Sequence, residues 1–199
     1  VGVYHDRSAG VLVRKPIPME AIRNVQSECR AVDDDLRWLI ALISDTGMRL
    51  AEGAGLLKQD FVGLNTKHPY VSVVKHPWRN LKTASSERKI PLVGQALWAA
   101  RRIVEADNAS DLAFRRYNRK PITAANSASA ALNKWLRQYV PVGCTMHSFR
   151  HSMRDRLRAV QCPADITDQI GGWTTDGVGQ GYGSGYPLSV LQEWLERVK

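Results

Sequence analysis

Apolar residues recur at helical spacing along most of this chain and give way to strand-like runs in one stretch only, between residues 70 and 92. A chain that alternated strand and helix throughout would build a parallel sheet. One that is helical, then briefly extended, then helical again cannot, and is limited to a helical body with a small sheet attached. Leu36, Leu39, Ile40 and Ile43 fall at i, i+3, i+4 and i+7, a stripe that faces a core, and Gly47 stops it. Before it, Pro16 and Pro18 open a helix expected through about Ala31. After it, Leu50, Leu56 and Leu57 predict a short helix or turn. Residues 70–74 and 88–92 read as two strands, joined by a polar, hairpin-like stretch that carries Lys82. Helical patterns return over about 94–106, 123–139, 146–160 and 163–170, residues 171–187 read as a Gly-rich loop, and a last helix covers about 188–198. The expectation is an α+β chain, mostly helical, with a small antiparallel sheet.

At 199 residues the chain is long enough for one domain with a sizeable core. Residues 1–15 read as a linker or ragged terminus, and 16–199 as the domain. No run of about 18 apolar residues predicts a membrane-spanning helix. The opening VGVYHDRSAG has no initiator Met and no apolar signal core, which points to a cytoplasmic protein and to a piece cut from something longer. Three scattered cysteines, Cys29, Cys144 and Cys162, fit a reducing compartment better than a disulfide framework. The 28 Lys and Arg against 19 Asp and Glu leave a net charge of +9. Such a surplus attracts polyanions, nucleic acid first among them, although a merely basic soluble protein has the same charge.

Several short stretches carry groups with chemistry. In HSFRHSMRDRLR (147–158), His147, Arg150 and Arg154 share a helix face, while Phe149 and Met153 lie on an apolar one. Arg presents a fork of donors suited to phosphate, and His can move a proton near neutral pH. A solvated basic helix face has the same pattern. Cys144, His147 and His151 also give a C-x2-H-x3-H spacing that zinc accepts, but no fourth ligand and no H-E-x-x-H pattern accompany it. Arg49 follows Gly47 at the end of the apolar helix, with Glu52 three residues on as a brace. Lys82 sits on the hairpin, with Lys75 and Lys89 as rivals on the same unit. Residues 171–186 contain seven glycines, but no G-x-G-x-x-G or G-K-[ST] pattern, so a nucleotide loop is rejected. That segment carries Tyr182 and Tyr186, and a tyrosyl oxygen can serve as a covalent nucleophile.

Taken in order, these residues resemble the catalytic domain of tyrosine recombinases of the phage-integrase type. The pattern T-G-x-R, K, H-x-x-R, H or W, Y reads here as Thr46-Gly47-Met48-Arg49, Lys82, His147-Ser148-Phe149-Arg150, Trp173 and Tyr182, and spans about residues 18–198. Eight residues separate Trp173 from Tyr182, which favours Tyr182 over Tyr186. Trp173 stands where many members have His, and an indole donates but cannot shuttle a proton. Gly171 stands where Leu is common, so an early end to the preceding helix is expected. The resemblance implies an N-terminal core-binding domain as well, which is expected to lie outside this stretch of sequence.

The resemblance implies a DNA breaking and rejoining enzyme with a catalytic-domain-like helical bundle. Tyr182 would attack a phosphodiester, Arg49 and Arg150 would bind its oxygens with Trp173 adding an N–H, Lys82 would protonate the leaving oxygen, and His147 would accept the Tyr182 proton or hold the phosphate. Glu52 would brace Arg49. No cofactor or catalytic metal is expected. The expected partner is double-stranded DNA, with Arg115, Arg116, Arg119 and Lys120 of RRYNRK and Arg154 as further contacts, and with self-association into a tetramer on DNA but not when free. Leu188, Leu191, Trp194 and Leu195 of the last helix would pack onto a neighbouring protomer in that assembly or close the domain's own core. The rivals are a type IB topoisomerase, a non-catalytic DNA-binding protein and, remotely, a zinc module.

Overall fold

The computed structural model describes residues 15–106, 110–118, 122–173 and 185–199. The predicted linker therefore lies almost wholly outside the described residues, as do Arg119, Lys120 and Tyr182. The elements run α1 (Met19–Val32), α2 (Asp35–Thr46), α3 (Leu50–Ala54), β1 (Phe61–Val62), β2 (Tyr70–Val73), β3 (Arg88–Pro91), α4 (Gly94–Glu105), α5 (Ala125–Leu136), α6 (Ser148–Ala159), α7 (Ala164–Gly171) and α8 (Leu188–Glu196). The strands form one antiparallel sheet in the order β1-β2-β3. Among the described residues no helix is long and apolar enough to cross a membrane.

Helix α2 is the axis of the molecule. Asp34 caps it, its carboxylate accepting from the Arg37 N–H at 2.9 Å. Leu39, Ile40, Ala41, Leu42 and Ile43 are all fully buried, because α1, α4 and α6 cover it from different sides. The sequence stripe thus widens to the whole circumference, the mark of an interior helix. Each large aliphatic side chain so buried contributes about 1.5–3 kcal/mol. Gly47 ends α2 with φ +62°, and a Cβ there would lie 2.8 Å from Cβ of Met153 on α6. Only glycine permits both the left-handed turn and that approach.

The sheet has a third strand that the sequence reading did not anticipate. Phe61 pairs with Val71 and Val62 with Tyr70. Two residues are too few to show alternation, so β1 carries no periodic signal. In β3, Arg88 and Ile90 are buried while Lys89 between them is exposed, and Pro91 at the strand's end is buried as well. Val73 pairs with Arg88 and Val71 with Ile90. Helices α7 and α8 pack against β3. Leu191 and Leu195 of α8, with Val198 beyond it, are buried in the chain's own core.

Two further expectations are corrected. The helix predicted over 123–139 is confined to Ala125–Leu136, and 137–139 continue only as turns. Helix α7 does not end early but runs through Gly171. The reason is local: a Cβ on Gly171 would overlap the Trp173 ring, 1.8 Å from its nearest carbon. The glycine makes room for the indole and the helix is not shortened.

Candidate active site

The site forms where α2 ends, and it draws residues from four elements. Arg49 begins α3. Its backbone N–H donates to Glu52 Oε2 at 2.9 Å, and its Nη1 donates to Glu52 Oε1 at 2.6 Å and to the Ser86 hydroxyl at 3.0 Å. The predicted brace is thus in place, and Glu52 is buried. Arg150, one turn into α6, donates from Nη1 to the carbonyl of Gly47 at 3.0 Å, two residues before Arg49. Its other terminal nitrogen, Nη2, is buried with no hydrogen-bond partner. Two arginines about a hundred residues apart in sequence therefore converge at one helix end.

Arg88 is a third arginine here, and sequence reasoning did not single it out. Its side chain is 4% exposed, and Nη2 meets Glu52 Oε2 at 3.0 Å. The signal was available. A strand with a period of two that buries Ile90 must also bury Arg88.

Two of these cations, Arg49 and Arg88, share the Glu52 carboxylate, and Arg150 lies within the same field without pairing to it. Burial pulls the Arg150 pKa down to about 9, and repulsion from Arg49 and then Arg88 adds to it, with Glu52 opposing. At neutral pH it remains a cation. Burial alone would raise the Glu52 pKa, but the Arg88 charge and the hydrogen bonds from Arg88 and Arg49 outweigh it and hold Glu52 below the usual carboxylate value. A desolvated cation with an unsatisfied N–H and excess positive charge around it is stabilised by a bound anion.

Trp173 closes one side. Cζ of Arg150 lies 4.3 Å and that of Arg154 5.0 Å from its ring centroid, so the indole face is held by two guanidiniums. Arg154 is half-exposed and also meets Asp168 at 3.4 Å. His147 precedes α6, one turn from Arg150, and packs edge-on to His151 with ring centroids 5.1 Å apart. Lys82 is exposed on the β2–β3 connection. Its neighbour Thr83 hydrogen-bonds through its hydroxyl to Ser86 Oγ at 3.0 Å, the oxygen that receives Arg49. The rival lysines are also on that unit, with Lys89 5.3 Å from the Tyr70 ring centroid.

Tyr186 sits elsewhere. Its hydroxyl donates to Asp165 Oδ2 at 2.5 Å, and its backbone N–H and C=O pair with the Gln169 amide at 2.8 and 3.0 Å. The Asp165 hydrogen bond raises the Tyr186 pKa. Asp165 is at the start of α7 and Trp173 just past its end, roughly 12 Å away at 1.5 Å per residue. A phenol held by a carboxylate at that distance is poorly suited to attack at the arginine pair.

The remaining candidates are dispersed. Arg115 and Arg116 are exposed, Arg116 is paired with Asp35 at 3.0 Å, and Tyr117 next to them is buried. The Cys144 thiol contacts the carbonyls of Lys15 and Pro16 at 3.8 Å. Among the described residues no group of three or more His, Cys, Asp or Glu is placed to hold a metal ion.

A helical body with a three-stranded antiparallel sheet at its side is the fold of tyrosine-recombinase catalytic domains. The chain belongs to the phage integrase family, whose model matches residues 19–193. Among solved structures it is similar to the Tn1549 transposon integrase in complex with circular intermediate DNA, at 20% identity and TM-score 0.62, covering 94% of this chain and 67% of that one. It is similar to XerA recombinase at 16% identity and TM-score 0.59, covering 91% of this chain and 58% of that one. It is also similar to the XerH site-specific recombinase bound to palindromic difH substrate in a post-cleavage complex, at 16% identity and TM-score 0.55, covering 98% and 53%. At these identities the likeness is one of fold, and the chain spans little more than half the length of XerA and XerH. No match to the chain is found among curated protein sequences.

Proposed function

We propose that residues 16–199 are the DNA breaking and rejoining domain of a site-specific recombinase, working through a 3′-phosphotyrosyl intermediate on Tyr182. The observation that carries this reading is Arg150: buried, cationic, with Nη2 unpartnered, beside Arg49 and under Trp173. A phosphodiester supplies the missing acceptor. Its five-coordinate transition state gathers further negative charge on the non-bridging oxygens, and donors fixed in a dry site are then most effective. The Tyr182 oxygen attacks phosphorus as the bond to the 5′-oxygen breaks. The Tyr182 proton passes to His147, and Lys82 gives a proton to the leaving 5′-oxygen. Reversal by a second 5′-hydroxyl rejoins the strand to a new partner. The phosphodiester bond energy is kept in the covalent link, so no nucleotide cofactor is needed.

The partner is double-stranded DNA, and the solved relatives whose structures contain DNA support this. Assembly as a tetramer on DNA, a monomeric free state and a cytoplasmic location complete the proposal. The test uses a pool of nicked duplexes with randomised sequence around the nick, from which the departing strand diffuses away. Protein-linked DNA is recovered after denaturation and the linked peptide is mapped. The expected result is an adduct on Tyr182 that Tyr182→Phe abolishes. DNA binding with no adduct from the unaltered chain overturns the enzyme reading. Relaxation of any supercoiled plasmid, with no strand exchange between defined sites, would point to a type IB topoisomerase instead.

A further inference from the structure

Arg88 uses every nitrogen of its guanidinium on a different part of the site. Nη2 donates to Glu52 Oε2 at 3.0 Å, Nε to the Ile170 carbonyl of α7 at 2.9 Å, and Nη1 to the Ser86 carbonyl at 2.6 Å. The backbone of Gly172, next to Trp173, lies against it: a Cβ on Gly172 would be 2.8 Å from Arg88 Nη1. Ser86 in turn receives Arg49 through its hydroxyl.

From this geometry we infer that Arg88 is the positioning residue of the active site. It fixes Arg49 through Glu52, the Lys82-bearing connection through Ser86, and Trp173 through the end of α7. Each of its three nitrogens already donates to the protein and its side chain is only 4% exposed, so the phosphate contacts fall to Arg49 and Arg150. The role rests on the recombinase reading for its catalytic consequence, but not for its effect on anion binding. The three groups it joins come from positions 49, 82 and 173, which no local hydrogen bond could hold in register. A planar fork with donors in three directions can, and a single ammonium cannot. Burial on all sides makes the fork rigid, so each group it touches is held at a fixed angle to the others.

The test separates positioning from charge by Arg88→Lys, which keeps the positive field but not the fork. Two quantities are measured on folded protein: affinity for inorganic phosphate, and the single-turnover rate of adduct formation on the nicked pool. Arg88→Lys is expected to weaken phosphate binding and to slow adduct formation by about tenfold to a hundredfold. That is the range lost when outer partners that orient metal ligands are removed, used here as an analogy. Glu52→Asp, which keeps the charge but shortens the reach, should behave alike, and the double variant should lose no more than the worse single, since both act through one connection. If Arg88→Lys does not fold, Glu52→Asp carries the same expectation from the other end of that connection.

Wild-type phosphate affinity and adduct rate in Arg88→Lys overturn the inference, as do losses that multiply in the double variant. No adduct from the wild-type chain, with phosphate binding still weakened by Arg88→Lys, sinks the strand-transfer reading and leaves this one standing.

Discussion

Two buried arginine clusters tie α2 to α6, and they are built to opposite ends. Around Arg156, six residues beyond Arg150, every donor has an acceptor. Nη1 meets the Ser44 carbonyl at 2.8 Å, Nη2 meets Asp45 Oδ1 at 3.0 Å, and Nε meets the Val198 carbonyl at 2.8 Å. Asp45 is completed by the Gln26 amide at 2.9 Å and the Gln95 N–H at 2.8 Å. One cation faces one anion, and the cluster is closed. Around Arg150, three arginines face the single carboxylate of Glu52, which pairs with only Arg49 and Arg88, and a terminal nitrogen of Arg150 is left over. An arginine of α6 that reaches the C-terminal end of α2 makes a structural clamp in one place and an open anion site in the other. What separates them is whether charge and donors are balanced within the chain.

The sharpest way to break this comparison is to remove each arginine. Arg156→Met leaves Asp45 buried without its partner, which should cost about 3–5 kcal/mol in urea unfolding. It should leave the adduct rate per folded molecule unchanged. Arg150→Met should do the reverse. Adduct formation falls by on the order of 10²–10³, while the melting temperature holds or rises, because a desolvated and repelled cation has been taken out. If Arg150→Met destabilises the chain as much as Arg156→Met, the two clusters are alike and the distinction is wrong.

A smaller effect is expected from pH. The protonated form of Arg150 is the one that binds an anion, and its pKa is brought down to about 9. Affinity for inorganic phosphate should therefore hold through neutral pH and decline as pH rises through about 9. Bound phosphate favours the cation, so saturating phosphate moves that decline to higher pH. A calorimetric titration across this range checks the sign. An acid-side decline follows from phosphate's own protonation and is set aside by repeating the titration with sulfate. No decline with either anion as pH rises through about 9 would place another group in control.

How much of this was legible in sequence follows from what each feature depends on. The α2 stripe, the stop at Gly47 and the strand alternation are local periodicities, and they were read with nearly correct bounds. The Arg49–Glu52 brace is also local, three residues on a helical turn. The meeting of Arg49 with Arg150 needed the family pattern, since no spacing rule joins residues that far apart. Arg88 was missed although the strand period puts it on the face of Ile90, because that signal gives the face and not the acceptors that let an arginine stay buried there. Two of those acceptors, the carbonyls of Ser86 and Ile170, belong to the backbone and have no sequence signature. Gly171 was misread for a related reason: its small size answers to Trp173 across a turn, not to the helix it ends.

Gly171 gives the next prediction in size. Gly171→Ala places a methyl in the indole's space, so Trp173 must swing off Arg150. The helix itself should gain from the replacement, by at most about 1 kcal/mol. Adduct formation should nonetheless fall by about tenfold, the usual scale of a lost cation–π contact at a desolvated site. Near-ultraviolet circular dichroism reports the indole's movement directly, and an unchanged spectrum with an unchanged rate would show that Trp173 is not held by that packing.

The smallest effects belong to the surface, where the comparison can be extended to balanced and unbalanced charge in water. Arg116 is already answered by Asp35 through two contacts at 3.0 and 3.1 Å, both side chains being accessible to solvent. Breaking it with Arg116→Gln should change stability by less than about 1 kcal/mol. Arg115 beside it is exposed. If this strip tracks the DNA backbone, each phosphate contact adds about 0.9 to the slope of log affinity against log salt. Arg115→Gln should then reduce that slope by nearly this amount, and Arg116→Gln by less, because Asp35 offsets its charge before DNA arrives. Equal slopes for both variants and the unaltered chain would remove the strip from the DNA interface and leave the enclosed arginines at the end of α2 as the main source of attraction.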